Sequence, residues 1–521
     1  MNAMFFKNLL IPKSILQLVL LFLGIWIAVF LNIGAPPLFD WDEGAFSEAT
    51  REMLASSNWF SVTLNGEPRY DKPILIYWLQ ALSASSLNVS EISLRLPSAI
   101  AATLWIIVIY IFGRTFFARS SAFNAAWMAI SSIGVCLIGR AATADATLNL
   151  LITMCMYASL RYIRDKNIKW LYIAYVFTAL GFLTKGPIAV IIPFSTTLIY
   201  FISVKDWRAW VQSITNLYGL LIFSVIALPW YVFMYATRGW EFIDGFFLVH
   251  NINRFQGPME GHGGSLIYYA PVLLIVVFPF MLLPIKVLLS SRIYWADPIT
   301  RFLLIWFVFV LIFFSLSGTK LPHYILYGLP GMLLLMAREL ESFTRYRWIL
   351  VPGSIVFLAF VFLPELIGRI VPGIDNPVQA ALWNEADLSF SLGYRAFLFA
   401  AGMIFLGFSF INLLPRKQIT LSMGLVMPFV FSIWLLPKVG EIQQKPIKEA
   451  GMIVAKNNWI AVQNGLDFPS FSVYADQIVE ARSMMPGEVA LILHSHHDEE
   501  SGADIVFESR GLALIRVREK D

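Results

Sequence analysis

Charge is what this chain has least of. Asp, Glu, Lys and Arg make up 14% of its 521 residues, against about a quarter in an ordinary soluble domain. Cysteine is nearly absent as well: Cys136 and Cys155 both sit in apolar stretches, which excludes a disulfide framework and offers no metal or redox spacing. The balance of 38 Lys+Arg against 34 Asp+Glu is too even to call for a nucleic acid partner. There is no Gly-rich phosphate loop of the P-loop or dinucleotide type, no heptad array and no low-complexity tract. What fills the chain instead is hydrophobic, 58% of all residues, the composition of an α-helical polytopic membrane protein.

Apolar runs fall near 15–33, 94–113, 120–139, 146–160, 170–183, 187–204, 213–236, 265–285, 302–316, 323–337, 348–364, 396–413 and 419–437. Against a span requirement of roughly 17–25 residues, that predicts about thirteen transmembrane helices. The first run follows Lys7 and Lys13, exceeds a signal-peptide core and lacks a small-residue cleavage pattern, so it is expected to be a retained span. With the N-terminus inside, the inner segments carry 18 Lys and Arg and five acids, as the positive-inside rule demands. The segment 34–93, the loops 237–264 and 365–395 and the C-terminal tail are then outside.

Residues 1–437 are thus expected to form a transmembrane domain and residues 438–521 a small outer α/β domain. The latter should have a helix over PIKEAGMIVAKNN and strands over FPSFSVY, EVALIL, DIVFES and LALIRVRE. Within 34–93, EGAFSEATREML places Ala45, Ala49 and Met53 on one helical face, the pattern of an interfacial helix.

Ionisable groups beside apolar spans are costly unless paired or hydrated, and so mark candidate sites. Here Asp40, Asp42, Glu43, Lys72, Arg140, Asp145, Lys185, His250, Arg254, Lys320 and His323 all fall on the outer face of this topology. Asp40, Asp42 and Glu43 suit a general base, a cation ligand or a helix cap, and the Asp-x-Asp spacing is like that of nucleotide-sugar enzymes that bind a metal. Lys72, Lys185, Arg254 and Lys320 are what a phosphate needs, with Tyr324 and His323 as added hydrogen-bonding groups. The structural alternatives are loop charge solvated by water, an Arg254 ion pair with Asp244 or Glu260, and Lys185 and Lys320 snorkelling to the interface. His494, His496 and His497, followed by Asp498, Glu499 and Glu500, are expected to be a solvated turn. Trp41, Trp59, Trp170 and Trp230 are expected to anchor at the interface, with Trp41, between two acids, the one that could meet a sugar.

The runs DWDEGAFSEATREML, YDKPILIYWLQAL, EISLRLPSA, GRAATADATLNL, GFLTKGPIAVIIP, HNINRF and SGTKLPHYILYGLPG resemble, in that order, the bacterial GT-C membrane glycosyltransferases of the lipid A aminoarabinose transferase and protein O-mannosyltransferase superfamily. The resemblance covers about residues 15–345. It implies a donor sugar carried on polyprenyl phosphate, with Asp42 as the catalytic acid residue, Glu43 its companion and Asp145 an orienting acid. It also implies Lys72, Arg254 and Tyr324 at the donor phosphate; the charge pattern itself adds Lys320 beside them and Arg140, Lys185, His250 and His323 in support. Arg69 stands where relatives usually have an aromatic residue, so a metal or acceptor contact proposed there does not carry over, and a divalent cation is left open. The expected activity is an inverting transfer of sugar to lipid A or a related envelope glycolipid at the periplasmic face of the bacterial inner membrane, with membrane lipids around the spans. Transfer to a protein or another glycan is the alternative acceptor reading. A flippase of lipid-linked sugars is the alternative of another class, and it would require charges in span centres and inverted repeats.

Overall fold

The computed structural model describes residues 13–258, 261–411, 415–499 and 502–518; Lys7, Glu260 and Glu500 lie outside these. Each apolar run is helical over most of its described length. In chain order the first are α1 (Lys13–Ile25), α2 (Asp42–Ser56), α3 (Leu75–Leu87), α4 (Glu91–Phe116), α5 (Arg119–Ser131), α6 (Ile133–Arg140) and α7 (Asp145–Asp165). These are followed by α8 (Ile168–Lys185), α9 (Ile188–Ser203), α10 (Trp207–Ile214) and α11 (Leu217–Arg238). Local signals set the boundaries. Ser90 and Ser93 form a capping box at the start of α4, Asn167 and Asn216 cap α8 and α11, and their oxygens satisfy amide groups that a helix start leaves without partners.

Among the described residues five helices are long and apolar enough to cross a membrane alone, the longest of the named ones being α4 and α11. Two further spans are broken: α5 and α6 meet at 62°, and Arg347–Phe360 meets Leu363–Gly373 at 63°. The first break falls at Ser132, whose extended backbone ends α5 while its hydroxyl caps α6 and donates to the Val276 carbonyl. Length alone therefore recognises fewer spans than hydrophobicity does, because several are assembled from two shorter helices.

The central core joins α4, α5 and α7 to Pro298–Leu316 and Leu329–Ser342 around Trp105, Trp306 and Tyr327. Both indoles are buried, and each donates its N–H, Trp105 to Thr153 Oγ1 at 2.8 Å and Trp306 to the Tyr327 carbonyl at 2.9 Å. That removes the penalty of an unpaired donor in a medium without water.

The first outer segment departs from the expected surface helix. Ala45, Ala49 and Met53 are buried, but so are Ser47, Glu48, Thr50, Arg51 and Glu52 on the other faces of α2. One side packs on α3, where Thr50 donates to Gln80 Oε1 at 2.9 Å, and another is covered by the helix Pro469–Ala475 from the C-terminal region. The polar face that suggested water is paired internally, as in Arg51–Glu48 at 2.7 Å.

Towards the C-terminus, Lys445–Asn457 is helical, and Val489–Leu493, Leu512–Val517 and Ala503–Ser509 form an antiparallel sheet in that spatial order. FPSFSVY, expected as a strand, is the helix Pro469–Ala475. Pro469 at the first helical position presets φ and lacks the N–H that would go unused there, and this outweighs the β-branched and aromatic content. His494 lies in the turn after the first sheet strand, 3.1 Å from Glu508. Trp230 is buried, with its indole N–H on the Phe60 carbonyl, and so is a packing residue.

One closed set of bonds fixes the outer segment to the bundle. Arg95 of α4 donates all five of its N–H groups: two to Glu43, at 2.9 and 2.7 Å, and the others to the carbonyls of Ile33, Pro36 and Pro37. Glu43 also accepts the amides of Phe39 and Ala142. Arg95→Leu would leave a buried carboxylate without its cation, a change worth on the order of 3–5 kcal/mol. A marked fall in melting temperature of the detergent-purified protein is the expected result, and an unchanged melting curve would contradict the role assigned to this pair.

Candidate active site

Two cavities adjoin at one end of the helix bundle. The first, of about 510 Å³, is lined by Asp71, Lys72, Lys185, His250, Arg254 and Tyr324 together with apolar residues of α9 and Pro298–Leu316. The second, of about 410 Å³, is lined by Asp40, Trp41, Asp42, Glu43, Arg140, Asp145, Arg254 and His323. Arg254 borders both. A second junction is the pair Lys185–Asp145 at 2.7 Å, whose members face different cavities.

Asp71 organises the first cavity. Its carboxylate lies 2.5 Å from Lys72 Nζ, 3.0 Å from Arg69 Nη2, 3.3 Å from His250 Nδ1 and 4.0 Å from Arg254 Nη1. Burial pushes Asp71 up, but Lys72, Arg69 and His250 outweigh it and hold the group far below the usual carboxylate range. Burial lowers Lys72 in turn, opposed by Asp71 and aided by Lys185 and Arg254. Lys72, Arg69 and Lys185 already outnumber Asp71 and Asp145 before Arg254 is added, so the cavity suits an anion. Sequence reasoning missed Asp71, although it directly precedes the Lys-Pro motif.

The loop carrying Arg254 is held by main-chain bonds to SGTK: Gly318 N–H to the Phe255 carbonyl, Thr319 N–H to that of Arg254 and Lys320 N–H to that of His262. A Cβ on Gly318 would lie 2.6 Å from the Gly257 backbone, so only glycine allows this approach. Lys320 itself was expected at the phosphate. Its ammonium instead donates to the Ser317 carbonyl at 2.5 Å and lines neither cavity. The motif works through its backbone.

Asp145, the first residue of α7, receives Lys185 at 2.7 Å and the Tyr327 hydroxyl at 2.8 Å, with His323 Nε2 at 3.4 Å. Tyr327, also missed from sequence, donates to Asp145 Oδ1 while its oxygen lies 3.0 Å from Lys185 Nζ. Tyr324 stacks on Tyr327 and faces the first cavity.

The three N-terminal acids separate by environment. Glu43 is tied to Arg95 and two backbone amides, which leaves it no free lone pair and makes it a structural group where a catalytic companion was expected. Asp40 accepts both the amide and the hydroxyl of Ser470. Asp42, at the first position of α2, is exposed to the second cavity and makes no hydrogen bond or ion pair among the described residues. Asp40 and Asp42 therefore do not converge as Asp-x-Asp metal ligands do, and among the described residues no three His, Cys, Asp or Glu side chains group as a metal site. Arg140, expected in support, lines the second cavity, but its guanidinium is engaged by the carbonyls of Ala28, Ile27 and Leu31 and by Ser432 Oγ.

Residues 71–233 match the family described as dolichyl-phosphate-mannose-protein mannosyltransferase. An uncharacterized protein of Aquifex aeolicus is 30% identical over 352 residues, 67% of this chain and 77% of that one. The undecaprenyl phosphate-alpha-4-amino-4-deoxy-L-arabinose arabinosyl transferase of Shewanella sediminis is 27% identical over 344 residues, 64% of this chain and 61% of its own length. In structure the chain is similar to ArnT from Cupriavidus metallidurans bound to undecaprenyl phosphate, with a TM-score of 0.81 at 17% identity over 96% of this chain and 97% of that one.

The Asp40–Ser470 contact makes a prediction. Burial raises the Asp40 carboxyl from 3.8 to about 7, so the folded protein prefers the protonated form. The stability this group contributes is complete below about pH 4 and is lost as pH rises through about 7. Asp40→Asn is expected to flatten the dependence of melting temperature on pH across that window; an identical pH dependence in the variant would refute the assignment.

Proposed function

Because the chain belongs to the GT-C membrane glycosyltransferase superfamily of the lipid A aminoarabinose transferases and protein O-mannosyltransferases, we propose that it transfers a sugar from a polyprenyl-phosphate donor to an acceptor at the periplasmic face, with lipid A the acceptor class. The observation that carries this reading is that Arg254 borders both cavities, one rich in cations and apolar surface, the other holding an unengaged carboxylate. Residues 1–437 act as the transferase domain, and 438–521 as a periplasmic domain that covers α2.

The donor phosphate lies in the first cavity against Lys72 and Arg254, with Tyr324 and Lys185 beside it, and its isoprenoid chain follows the apolar residues of α9 and Pro298–Leu316. The sugar reaches past Arg254 into the second cavity. There Asp42 accepts the proton of the acceptor hydroxyl as that oxygen forms its bond to the anomeric carbon. The bond from that carbon to the phosphate oxygen breaks on the opposite side, with inversion, and polyprenyl phosphate leaves with the electron pair. Where the acceptor is a phosphate already ionised at neutral pH, Asp42 has no proton to take and acts by its charge on the developing oxocarbenium.

Asp145 cannot serve as base while it holds Lys185, Tyr327 and His323. Its part is to fix Lys185 at the mouth of the donor cavity. Neutralising charge that builds on a leaving group contributes about 10²–10³-fold per well-placed donor, and a general base about 10²–10⁴-fold, so neither half suffices alone.

Two variants separate them. Asp42→Asn is expected to abolish release of polyprenyl phosphate from labelled donor while donor binding persists. Arg254→Ala is expected to lower turnover by about 10²–10³-fold and to weaken donor binding as well. Full turnover by the Asp42→Asn protein with a hydroxyl acceptor would refute its role as base.

A further inference from the structure

A third cavity, of about 310 Å³, lies between α7, α8, α9, α10 and α11 and shares no lining residue with the other two. Its wall is apolar in effect even where its residues are not. The Tyr175 hydroxyl donates to the carbonyls of Ser213 and Ile214, and the Trp210 indole to Thr197. The hydroxyls of Thr178 and Ser159 donate to carbonyls of their own helices. A guest meets methyl, methylene and ring surface with those donors already engaged, so hydrocarbon fits and a polar head does not. The volume is of the size that holds a drug-sized or lipid fragment.

The charge lies just beyond this wall. Lys166, Lys169, Lys205 and Arg208 are each within four residues of a lining residue, on the loops joining α7 to α8 and α9 to α10 or in the first turn of the helix that follows. All four are exposed, and among the described residues none makes an ion pair. The acids there are engaged: Asp165 lies between Arg161 and Arg164, at 2.5 and 2.6 Å, and Asp206 caps α10. The 18 residues of α8 separate these loops from Lys185 by about 27 Å at 1.5 Å per residue, close to the hydrocarbon thickness of a bilayer. The basic loops therefore stand at the membrane surface opposite the catalytic cavities. Trp207, the first residue of α10, is exposed as interfacial tryptophans are.

We propose that this cavity binds an anionic glycerophospholipid of the opposite leaflet, with an acyl chain between α7 and α11 and the phosphate among Lys166, Lys169, Lys205 and Arg208. Basic clusters beside helices at a membrane surface favour anionic head groups, and the saturated lining supplies the chain's share. This site is independent of the transfer reaction, since none of its residues touches the donor or acceptor cavities.

Native mass spectrometry of the full chain in detergent, titrated with phosphatidylglycerol or with phosphatidylcholine of the same chains, tests it. The parent is expected to retain phosphatidylglycerol in preference. Lys205→Gln combined with Arg208→Gln, at two exposed positions, is expected to reduce that retention on the order of tenfold. Leu220→Trp, from a partly exposed lining position, is expected to reduce retention of both lipids. Equal retention of the two lipids by the parent, or retention unaffected by the charge variants, overturns the proposal. Loss in the charge variants with full retention in Leu220→Trp overturns the acyl cavity. Release of polyprenyl phosphate, followed in parallel, reports on the transfer reaction separately.

Discussion

The ion pair between Arg95 and Glu43 is the constraint from which the outer architecture follows. A guanidinium has five donors and a carboxylate about four acceptor positions, and in this pair every one is used: Arg95 holds Glu43 and three carbonyls, while Glu43 holds Arg95 and two amides. A buried ion pair gains stability over separated charges only when its remaining valences are met. Meeting them requires the 33–39 segment, α2, α4 and Ala142, two residues beyond α6, to lie within hydrogen-bond reach of one another. The position of Asp42 is a by-product, for it stands one residue before a side chain that cannot move.

A second clamp approaches from the C-terminal region. Ser470 gives its amide and hydroxyl to Asp40, and the Tyr474 hydroxyl accepts the amide of Leu38. Lys448 pairs with Glu91 at 2.5 Å. Gly44 leaves room for this approach, since a Cβ there would lie 2.7 Å from the Ser470 amide nitrogen. The same helix therefore carries Asp42 between two fixed neighbours, Asp40 and Glu43. Neighbouring acids in one short run come to do three different things because one faces an arginine, one a serine and one a cavity.

Much of this was readable from the sequence, and the failures have physical causes. Apolar runs mark helices because a backbone in hydrocarbon must satisfy its own hydrogen bonds, so the helical architecture was legible throughout. Most of the acids and bases that line the cavities stood out because charge is rare in such a chain, Asp71 being an exception. What local sequence does not carry is which valences neighbours will use. Glu43 and Asp42 are alike in type and position, and only Arg95, 52 residues on, distinguishes them. Lys320 looked like a phosphate ligand, yet the Ser317 carbonyl takes its ammonium. FPSFSVY has the composition of a strand, but its Pro469 starts a helix that α2 then buries. Tyr327 was hidden because an aromatic among apolar residues carries no sign that its hydroxyl will meet Asp145.

Asp71 explains how the proposed donor cavity can exist before a ligand arrives. Lys72, Arg69 and Arg254 all stand within 4.0 Å of its carboxylate, beside His250, and such cations gathered in a poorly hydrated space would repel one another strongly. A single carboxylate among them offsets that repulsion and holds each side chain in place, so the site is already arranged when a phosphate enters. Because Asp71 cannot balance all of its neighbours, attraction for a further anion remains. A cavity with cations alone would be hard to keep folded, and one with matched charges would bind nothing. Among the described residues Lys72, Arg69 and Lys185 exceed Asp71 and Asp145, and under the proposed reading that excess is what meets a phosphate.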